Sequence, residues 1–147
     1  MDPKSRDPQT LARACAERMY SEDYASQALG IRILDVAPGC ARLAMRVRED
    51  MVNGHGICHG GFVFALADSA FAFACNTYDA VTVAAGGVID FLAPVPAGEE
   101  LTASAREQSR SRRTGVYDVT VCNQRGEYIA LFRGRSHQLD GRLLEDH

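Results

Sequence analysis

Residues 53–76 read NGHGICHGGFVFALADSAFAFACN, and this stretch decides the fold. From residue 61 to residue 75 nearly every side chain is Ala, Phe, Val or Leu, and only Asp68 and Ser69 are polar. A helix that is apolar on every side is buried on every side. At about 16 residues and ~24 Å it is short for a membrane span, and it carries a carboxylate at its middle. The stretch therefore predicts the central helix of a soluble protein, enclosed by the rest of the chain.

Asp68 does not fit such a helix. An ionised carboxylate held out of water is destabilising by several kcal/mol unless partners stabilise it. Two interpretations stay open from the residues alone: Asp68 hydrogen-bonds a neighbouring loop, or it serves a reaction.

The flanking sequence supplies a sheet to cover the helix. Between residues 40 and 48 apolar side chains alternate with arginines, which is the pattern of a strand with one wet face. Short connections favour antiparallel neighbours, and we expect the strands after the helix to form a meander. The fold class is α+β, with a curved antiparallel sheet of five to six strands around one long buried helix. The segments with strand character are 31–37, 40–48, 81–92, 100–109, 115–123 and 128–139.

The two ends of the chain are predicted to lie outside this domain. Residues 1–8 are polar, carry two prolines and predict a disordered tail. A helix capped by Thr10 and a second helical turn closed by Gly30 follow. We therefore divide the chain into an N-terminal part, 1–30, a single domain, 31–139, and a C-terminal tail, 140–147.

Charge and cysteine content exclude several classes of protein. The formal net charge of −3 argues against a general nucleic-acid binder. The five cysteines are widely spaced and free of any CxxC pair, so neither a disulfide framework nor a zinc knuckle is expected. The opening residues MDPKSRDPQT lack the apolar core of a signal peptide. We expect a cytoplasmic protein that binds neither nucleic acid nor membrane.

The start of the central helix is the candidate site. His59-Gly60-Gly61 stands there, and Asp68 follows two turns later. A helix N-terminus presents unpaired N–H groups and a partial positive charge, and two glycines let a ligand approach the backbone closely. Such a place suits a carbonyl oxygen that becomes negative during a reaction.

Other interpretations of this region are weaker. The glycines at 54–60 resemble a dinucleotide-binding loop with Asp90 as the ribose ligand, but no βαβ unit surrounds them. His55 and His59 lack the further ligands of a metal shell, and no second cysteine completes a haem-attachment motif. Cys75 at the helix end is a possible nucleophile, although a buried cysteine usually serves packing.

Arginines form two further groups. One group is predicted to lie together in a loop and consists of Arg110, Arg112 and Arg113. The other group shares one face of the last strand and consists of Arg133 and Arg135. Such charges usually mark a solvated face. They also suit the phosphates of a large anionic ligand, because guanidinium binds phosphate bidentately.

Four motifs carry a family resemblance: NGH at 53–55, HGG-x4-LAD at 59–68, TGVYDV at 114–119 and LFRGRSH at 131–137. Together they resemble the hotdog-fold acyl-CoA thioesterases, and within them the phenylacetic-acid-degradation (PaaI) group. The likeness implies a hotdog fold from about residue 31 to residue 138. It also implies hydrolysis of an acyl-CoA, with an aryl-acetyl group such as phenylacetyl or hydroxyphenylacetyl, to the free acid and CoA.

The resemblance assigns roles to individual residues. It makes Asp68 the catalytic carboxylate, as nucleophile or as general base on water, and it makes the Gly60 N–H the group that polarises the thioester carbonyl. His59 and Asn53 support the site, and Gly61 lies against the substrate.

One strand position departs from the family pattern. Where the family often carries a Ser or Thr that steadies the attacking water, this chain has Ala85, which instead leaves room for a bulky aryl group. The five arginines are the expected ligands of the CoA phosphates.

Helix geometry predicts a site shared between two copies of the chain. Gly60 and Asp68 are eight residues apart, and so lie ~12 Å apart along one helix axis. Both groups can serve one thioester only if an antiparallel second copy supplies the carboxylate. The partly apolar outer face of the sheet also predicts association, and we expect a homodimer that assembles into a homotetramer.

Thioester hydrolysis needs only a polarised carbonyl and a placed carboxylate, so neither a metal nor a cofactor beyond the CoA of the substrate is expected. Two alternatives remain. One is a hotdog hydratase or dehydratase that acts on a hydroxyacyl-CoA through His59 and Asp68, and the other is a non-catalytic acyl-CoA binder.

Overall fold

A computed structural model describes residues 7–145 and shows three α-helices and six strands in that range. The helices are α1 (Pro8–Glu22), α2 (Tyr24–Ala28) and α3 (Gly60–Cys75). The strands are β1 (Arg32–Ala37), β2 (Cys40–Arg46), β3 (Thr82–Phe91), β4 (Glu100–Ser111), β5 (Thr114–Cys122) and β6 (Tyr128–Gln138). The predicted central helix and the six predicted strands are confirmed.

All neighbouring strands are antiparallel, in the order β1-β2-β4-β5-β6-β3. The predicted meander is confirmed for β4, β5 and β6 but is wrong for β3, which lies at the far edge beside β6. The connection from β3 to β4 carries two prolines that cannot donate backbone hydrogen bonds. It is held instead against the loop before α3, where the Cys58 N–H donates to the Val95 carbonyl at 2.7 Å. The chain therefore crosses the N-terminal end of α3 before β4 begins.

The sheet curves around α3, which contacts all six strands. Phe71 shows how closely the layers meet, since its ring centroid lies 5.6 Å from that of Tyr117 and 5.9 Å from that of Phe132. A Cβ atom on Gly134 would stand 2.9 Å from the same ring, so glycine is required there. Full burial of one such aromatic side chain stabilises the fold by about 1.5–3 kcal/mol. The buried residues of α3 are Val63, Leu66, Ala67, Ala70, Phe71, Phe73, Ala74 and Cys75.

The two edges of the sheet differ. At β1, side chains of α1 occupy free carbonyls: Gln9 Nε2 donates to Val36 O at 2.7 Å and the Tyr20 hydroxyl donates to Ile31 O at 2.6 Å. At β3 most residues are exposed, and Val88 is 68% exposed. An uncovered apolar edge strand is a template for pairing with another chain.

The beginning of the described chain corrects one prediction. Asp7, not Thr10, caps α1, because its carboxylate accepts from the Thr10 N–H at 3.0 Å and Pro8 stands at the first helical position. α1 then contributes Ala12 and Ala16 to the same core as α3. Most of the predicted tail, residues 1–6, lies outside the described residues.

The end of the chain is held to the turn after α3. Buried Asp79 accepts hydrogen bonds from Arg142 Nε at 2.8 Å and from the Leu144 N–H at 2.9 Å. The predicted C-terminal tail is therefore anchored as far as residue 144, and residues 146–147 lie outside the described residues. Between residues 7 and 145 no helix is both long enough and apolar enough to cross a membrane.

Candidate active site

The start of α3 is closed by a histidine cap. His59 Nδ1 accepts a hydrogen bond from the Gly61 N–H at 2.9 Å, which places the proton of the neutral ring on Nε2. A Cβ atom on Gly61 would stand 3.0 Å from this nitrogen, so the cap depends on glycine at position 61. The Phe62 N–H donates to the His59 carbonyl at 3.0 Å. Two of the free donors at the helix start are therefore satisfied from within the chain.

Gly60 is the exception at this helix start. Its N–H finds no acceptor among residues 7–145. The partial positive charge of a 16-residue helix adds to this donor. The Gly60 N–H is thus free to donate to a ligand, and its role toward a thioester carbonyl stays a prediction.

Asn53 faces the same space as Gly60. Its Oδ1 accepts from the His55 N–H at 2.9 Å, which folds the preceding loop and leaves the Nδ2 donors without an acceptor in the described range. Asn53 and Gly60 both line a depression of about 380 Å³ between α3 and the end of β3. Two residues that each carry an unpaired hydrogen-bond donor therefore line one apolar-walled space.

Asp68 lies half-buried two turns further along α3, outside that depression. Its carboxylate accepts no hydrogen bond from the described part of the chain, so the interpretation of a loop-binding residue is wrong. Burial raises the pKa of Asp68 above its ordinary value. A carboxylate with a raised pKa and no partner is typical of a functional group.

Ala85 lies at an irregularity of β3. The pairing with β6 shifts between Ala84 and Gly86, so Ala85 has no partner and is exposed. It brings no hydroxyl to the site.

The structure separates the predicted arginines into two groups. Arg110 lies on β4, not in a loop as predicted, and its guanidinium stacks 3.7 Å from the centre of the Tyr78 ring. Arg112 and Arg113 form the two-residue turn that follows, and this turn lies beyond the last residue of α3. Arg113 is engaged by Asp140 at 2.7 Å and by the Gln138 carbonyl at 3.1 Å.

The other two arginines line a depression across β3, β5 and β6. Arg133 forms a bidentate pair with Asp118, at 2.6 and 2.8 Å, which raises the pKa of Arg133 and lowers that of Asp118. Arg135 extends over Gly86 of β3. Within one chain the two groups do not converge on one ligand.

The same geometry bears on the weaker interpretations of this region. Every strand pair is antiparallel, so the glycines at 54–60 do not belong to a dinucleotide-binding βαβ unit. Cys75 is buried, and burial raises the pKa of its thiol to about 12, which leaves no nucleophilic thiolate. Residues 7–145 contain no cluster of three or more His, Cys, Asp or Glu side chains that would hold a metal ion.

Sequence reasoning missed a partly buried polar cluster at the C-terminal end of α3. One carboxylate oxygen of Glu107 accepts from the hydroxyls of Tyr78 and Tyr117, each at 2.9 Å. Burial and this carboxylate raise the pKa of Tyr78 to about 12 and raise that of Tyr117. The three residues come from different elements, and no local motif marks them.

Sequence reasoning also missed Phe91, the last residue of β3. An atom at the Cβ position of Gly60 would lie 3.0 Å from Phe91 Cζ, so the ring rests directly on the helix start. The two residues are far apart in sequence, and no pattern connects them.

Comparison with known proteins gives a consistent result. The family model described as the thioesterase superfamily matches residues 55–130. The acyl-coenzyme A thioesterase PaaI of Escherichia coli (strain K12) is 46% identical over 128 residues, which are 87% of this chain and 91% of that protein. A putative esterase of Archaeoglobus fulgidus is 34% identical over 83% of this chain and 79% of its own length.

Solved structures agree with these relatives. The E. coli PaaI protein from the phenylacetic acid degradation operon superposes with a TM-score of 0.91 at 44% identity, over 92% of this chain and 99% of that one. A mutant of the phenylacetic acid degradation protein PaaI from Thermus thermophilus gives a TM-score of 0.77 at 44% identity, over 80% of this chain and 100% of that one. The resemblance seen in the four motifs is confirmed.

Proposed function

This chain belongs to the thioesterase superfamily, and we propose that it hydrolyses the thioester bond of an aryl-acetyl-CoA to the free acid and CoA. The acyl-CoA part follows from its relatives, of which one close in sequence is an acyl-CoA thioesterase. The aryl-acetyl part follows from the phenylacetic acid degradation named for the two PaaI structures. We place this chain in the same degradation context.

The observation that carries the proposal is the unpaired Gly60 N–H at the start of α3. It shares an apolar-walled depression with the free amide donors of Asn53. A thioester carbonyl becomes an oxyanion on attack, and preorganised donors in a site of low dielectric stabilise that charge. The His59 cap keeps the Gly61 N–H occupied and so leaves Gly60 as the free donor.

Asp68 supplies the other half of the chemistry. As a general base it takes a proton from water while the water oxygen attacks the thioester carbon. The oxyanion then collapses, the carbon–sulfur bond breaks, and the CoA thiolate takes a proton to leave as the thiol. As a nucleophile Asp68 would attack the carbon itself and form a mixed anhydride that water then hydrolyses. In both routes the raised pKa makes the carboxylate a stronger base.

The helix spacing requires two subunits for one site. Gly60 and Asp68 of one chain lie ~12 Å apart along α3, too far to act on one carbonyl. The uncovered edge of β3 and the incompletely buried stripe of Gly61, Ala65, Asp68 and Ala72 on α3 support an antiparallel second copy. A homotetramer and a cytoplasmic location stay predictions, as does the absence of a cofactor.

An antiparallel partner also gives the arginines a role. With Asp68 of one chain opposite Gly60 of the other, the last residue of that α3 would lie ~10 Å beyond Gly60 along the helix axis. The 110–113 cluster of one chain would then stand at the approach to its partner's site, where the phosphate end of an extended substrate lies. Arg110 and Arg112 carry no ion pair within residues 7–145 and are the stronger candidates for the CoA phosphates. Arg113 and Arg133 are already engaged by carboxylates.

A panel of acyl-CoAs with a thiol-release readout tests the proposal. We expect the highest kcat/KM for phenylacetyl-CoA or a hydroxyphenylacetyl-CoA. Conversion of a 3-hydroxyacyl-CoA to the enoyl-CoA without thiol release would favour the hydratase alternative. Tight binding of every acyl-CoA without turnover would identify a binding protein and overturn the proposal.

A further inference from the structure

Phe91 lies directly beside the helix start that is proposed to bind the thioester carbonyl. Its ring rests on Gly60, with Cζ at 3.0 Å and both Cε atoms at 3.3–3.4 Å from the Cβ position of that glycine. The side chain is nevertheless 54% exposed. A large aromatic ring beside the donor that polarises the thioester, yet only half covered, is positioned for a ligand to complete its burial.

The depression beside Phe91 is chemically suited to an acyl group and not to CoA phosphates. Its walls come mainly from Ile57, Val63, Leu92, Pro94 and Ile129, and no charged side chain lines it. A phosphate would lose its hydration there without gaining a cationic partner. The phosphate-bearing end of the substrate must therefore point away from this space.

The size of the depression fits an aromatic acyl group. It measures about 380 Å³, whereas a cavity of about 150 Å³ already holds a benzene ring. A phenyl ring one methylene away from a carbonyl on Gly60 would reach the neighbouring Phe91. Aromatic rings prefer offset or edge-to-face contact at centroid distances of about 4.5–7 Å.

We propose that Phe91 is the specificity-determining residue that selects an aromatic acyl group over an aliphatic one. This inference rests on the proposed thioester hydrolysis. The new element is the end of β3, which would distinguish between substrates although it lies outside the motifs that carry the catalytic residues. Ala85, whose small side chain suggested room for an aryl group, does not line this depression.

The experiment compares kcat/KM for phenylacetyl-CoA and hexanoyl-CoA in the wild type and in Phe91→Leu, Phe91→Tyr and Tyr128→Leu. Leucine keeps an apolar wall but removes the ring, so the phenylacetyl-to-hexanoyl ratio should fall about two- to tenfold, the size expected for one lost aromatic pair. Phe91→Tyr keeps the ring and should keep the ratio. Tyr128→Leu removes a ring that is 63% exposed and lies outside the depression, and it should leave the ratio unchanged.

The outcomes separate this inference from the proposed function. Thiol release by the wild type with an unchanged ratio in Phe91→Leu would overturn the role of Phe91 and leave the thioesterase intact. An equal fall with both substrates would mean that the ring supports the helix start and does not select the acyl group. Absence of thiol release from every substrate in the wild type would overturn the proposed function itself.

Discussion

A shared active site predicts the behaviour of a mixture of two inactive variants. Asp68→Ala removes the carboxylate and Gly60→Pro removes the N–H, so each homodimer lacks one essential group at both of its sites. When the two chains are coexpressed in equal amounts, about half of the dimers are mixed, and each mixed dimer has one intact site of two. The mixture should therefore recover about a quarter of the wild-type activity.

The proline variant suits the local backbone. Proline is favoured at the first position of a helix, and His59 already has the extended conformation, φ −60° and ψ 133°, that a residue before proline requires. Gly60→Ala is the matched control, because it adds the same Cβ against Phe91 but keeps the N–H. Loss of one oxyanion donor lowers kcat about 10²–10³-fold, so Gly60→Pro should fall in this range and Gly60→Ala far less.

The assay uses two affinity tags, so that mixed dimers are purified in two steps before thiol release is measured. A wild-type chain paired with a chain carrying both substitutions is the reciprocal control. Shared sites leave this dimer inactive, whereas a site built within one chain leaves it half active. Folded mixed dimers of the two single variants with no more activity than either parent, or an active reciprocal dimer, would refute the shared site.

Two further residue sets give testable outcomes. Asp68→Asn should lower kcat about 10²–10⁴-fold with little change in KM. In the wild type, activity should fall on the acid side at a pH above the ordinary carboxyl pKa, because burial raises the pKa of Asp68. A pKa that is higher in the folded than in the unfolded protein means that ionised Asp68 destabilises the fold at neutral pH. Asp68→Asn should therefore raise Tm at pH 7, and this gain should vanish as the pH falls below the ordinary carboxyl pKa; an unchanged Tm at pH 7 would contradict this. Replacing Arg110 and Arg112 together by Ala should raise KM for acyl-CoA several-fold with kcat nearly unchanged. Added salt should reduce the difference in KM between this variant and the wild type. Arg46→Ala, which removes an exposed arginine of β2, is the control, and the same rise in KM there would show a general charge effect.

The architecture was predictable because its signals are local. An apolar run of helical length and segments bounded by glycine and proline identify α3 and the strands from the residues themselves. The position of β3 was not predictable in this way. No sequence pattern between residues 92 and 99 indicates that the chain crosses the N-terminal end of α3. That path is fixed by the hydrogen bond between Val95 and Cys58.

The site also contains residues that the sequence places together and one that only the fold brings to them. Gly60, His59 and Asn53 stand within a few residues of the helix start, so the sequence by itself places them together. Phe91 reaches Gly60 only through the pairing of β3 with β6. A contact made through the sheet leaves no spacing in the sequence, and local motifs therefore do not identify the wall of the acyl pocket.

The asymmetry of the sheet edges connects assembly with catalysis. α1 closes the β1 edge with two hydrogen bonds to free carbonyls, and it leaves β3 as the edge on which another chain can pair. β3 also ends at Phe91, whose ring lies against Gly60. On the shared-site proposal, a second copy that pairs with β3 would cover its exposed Val88 and bring its own carboxylate to this helix start, while Phe91 at the end of the strand stays open to the acyl group. If the site is shared as proposed, a monomer has each group but no complete site, and hydrolysis should depend on subunit concentration in the same range as dimer formation.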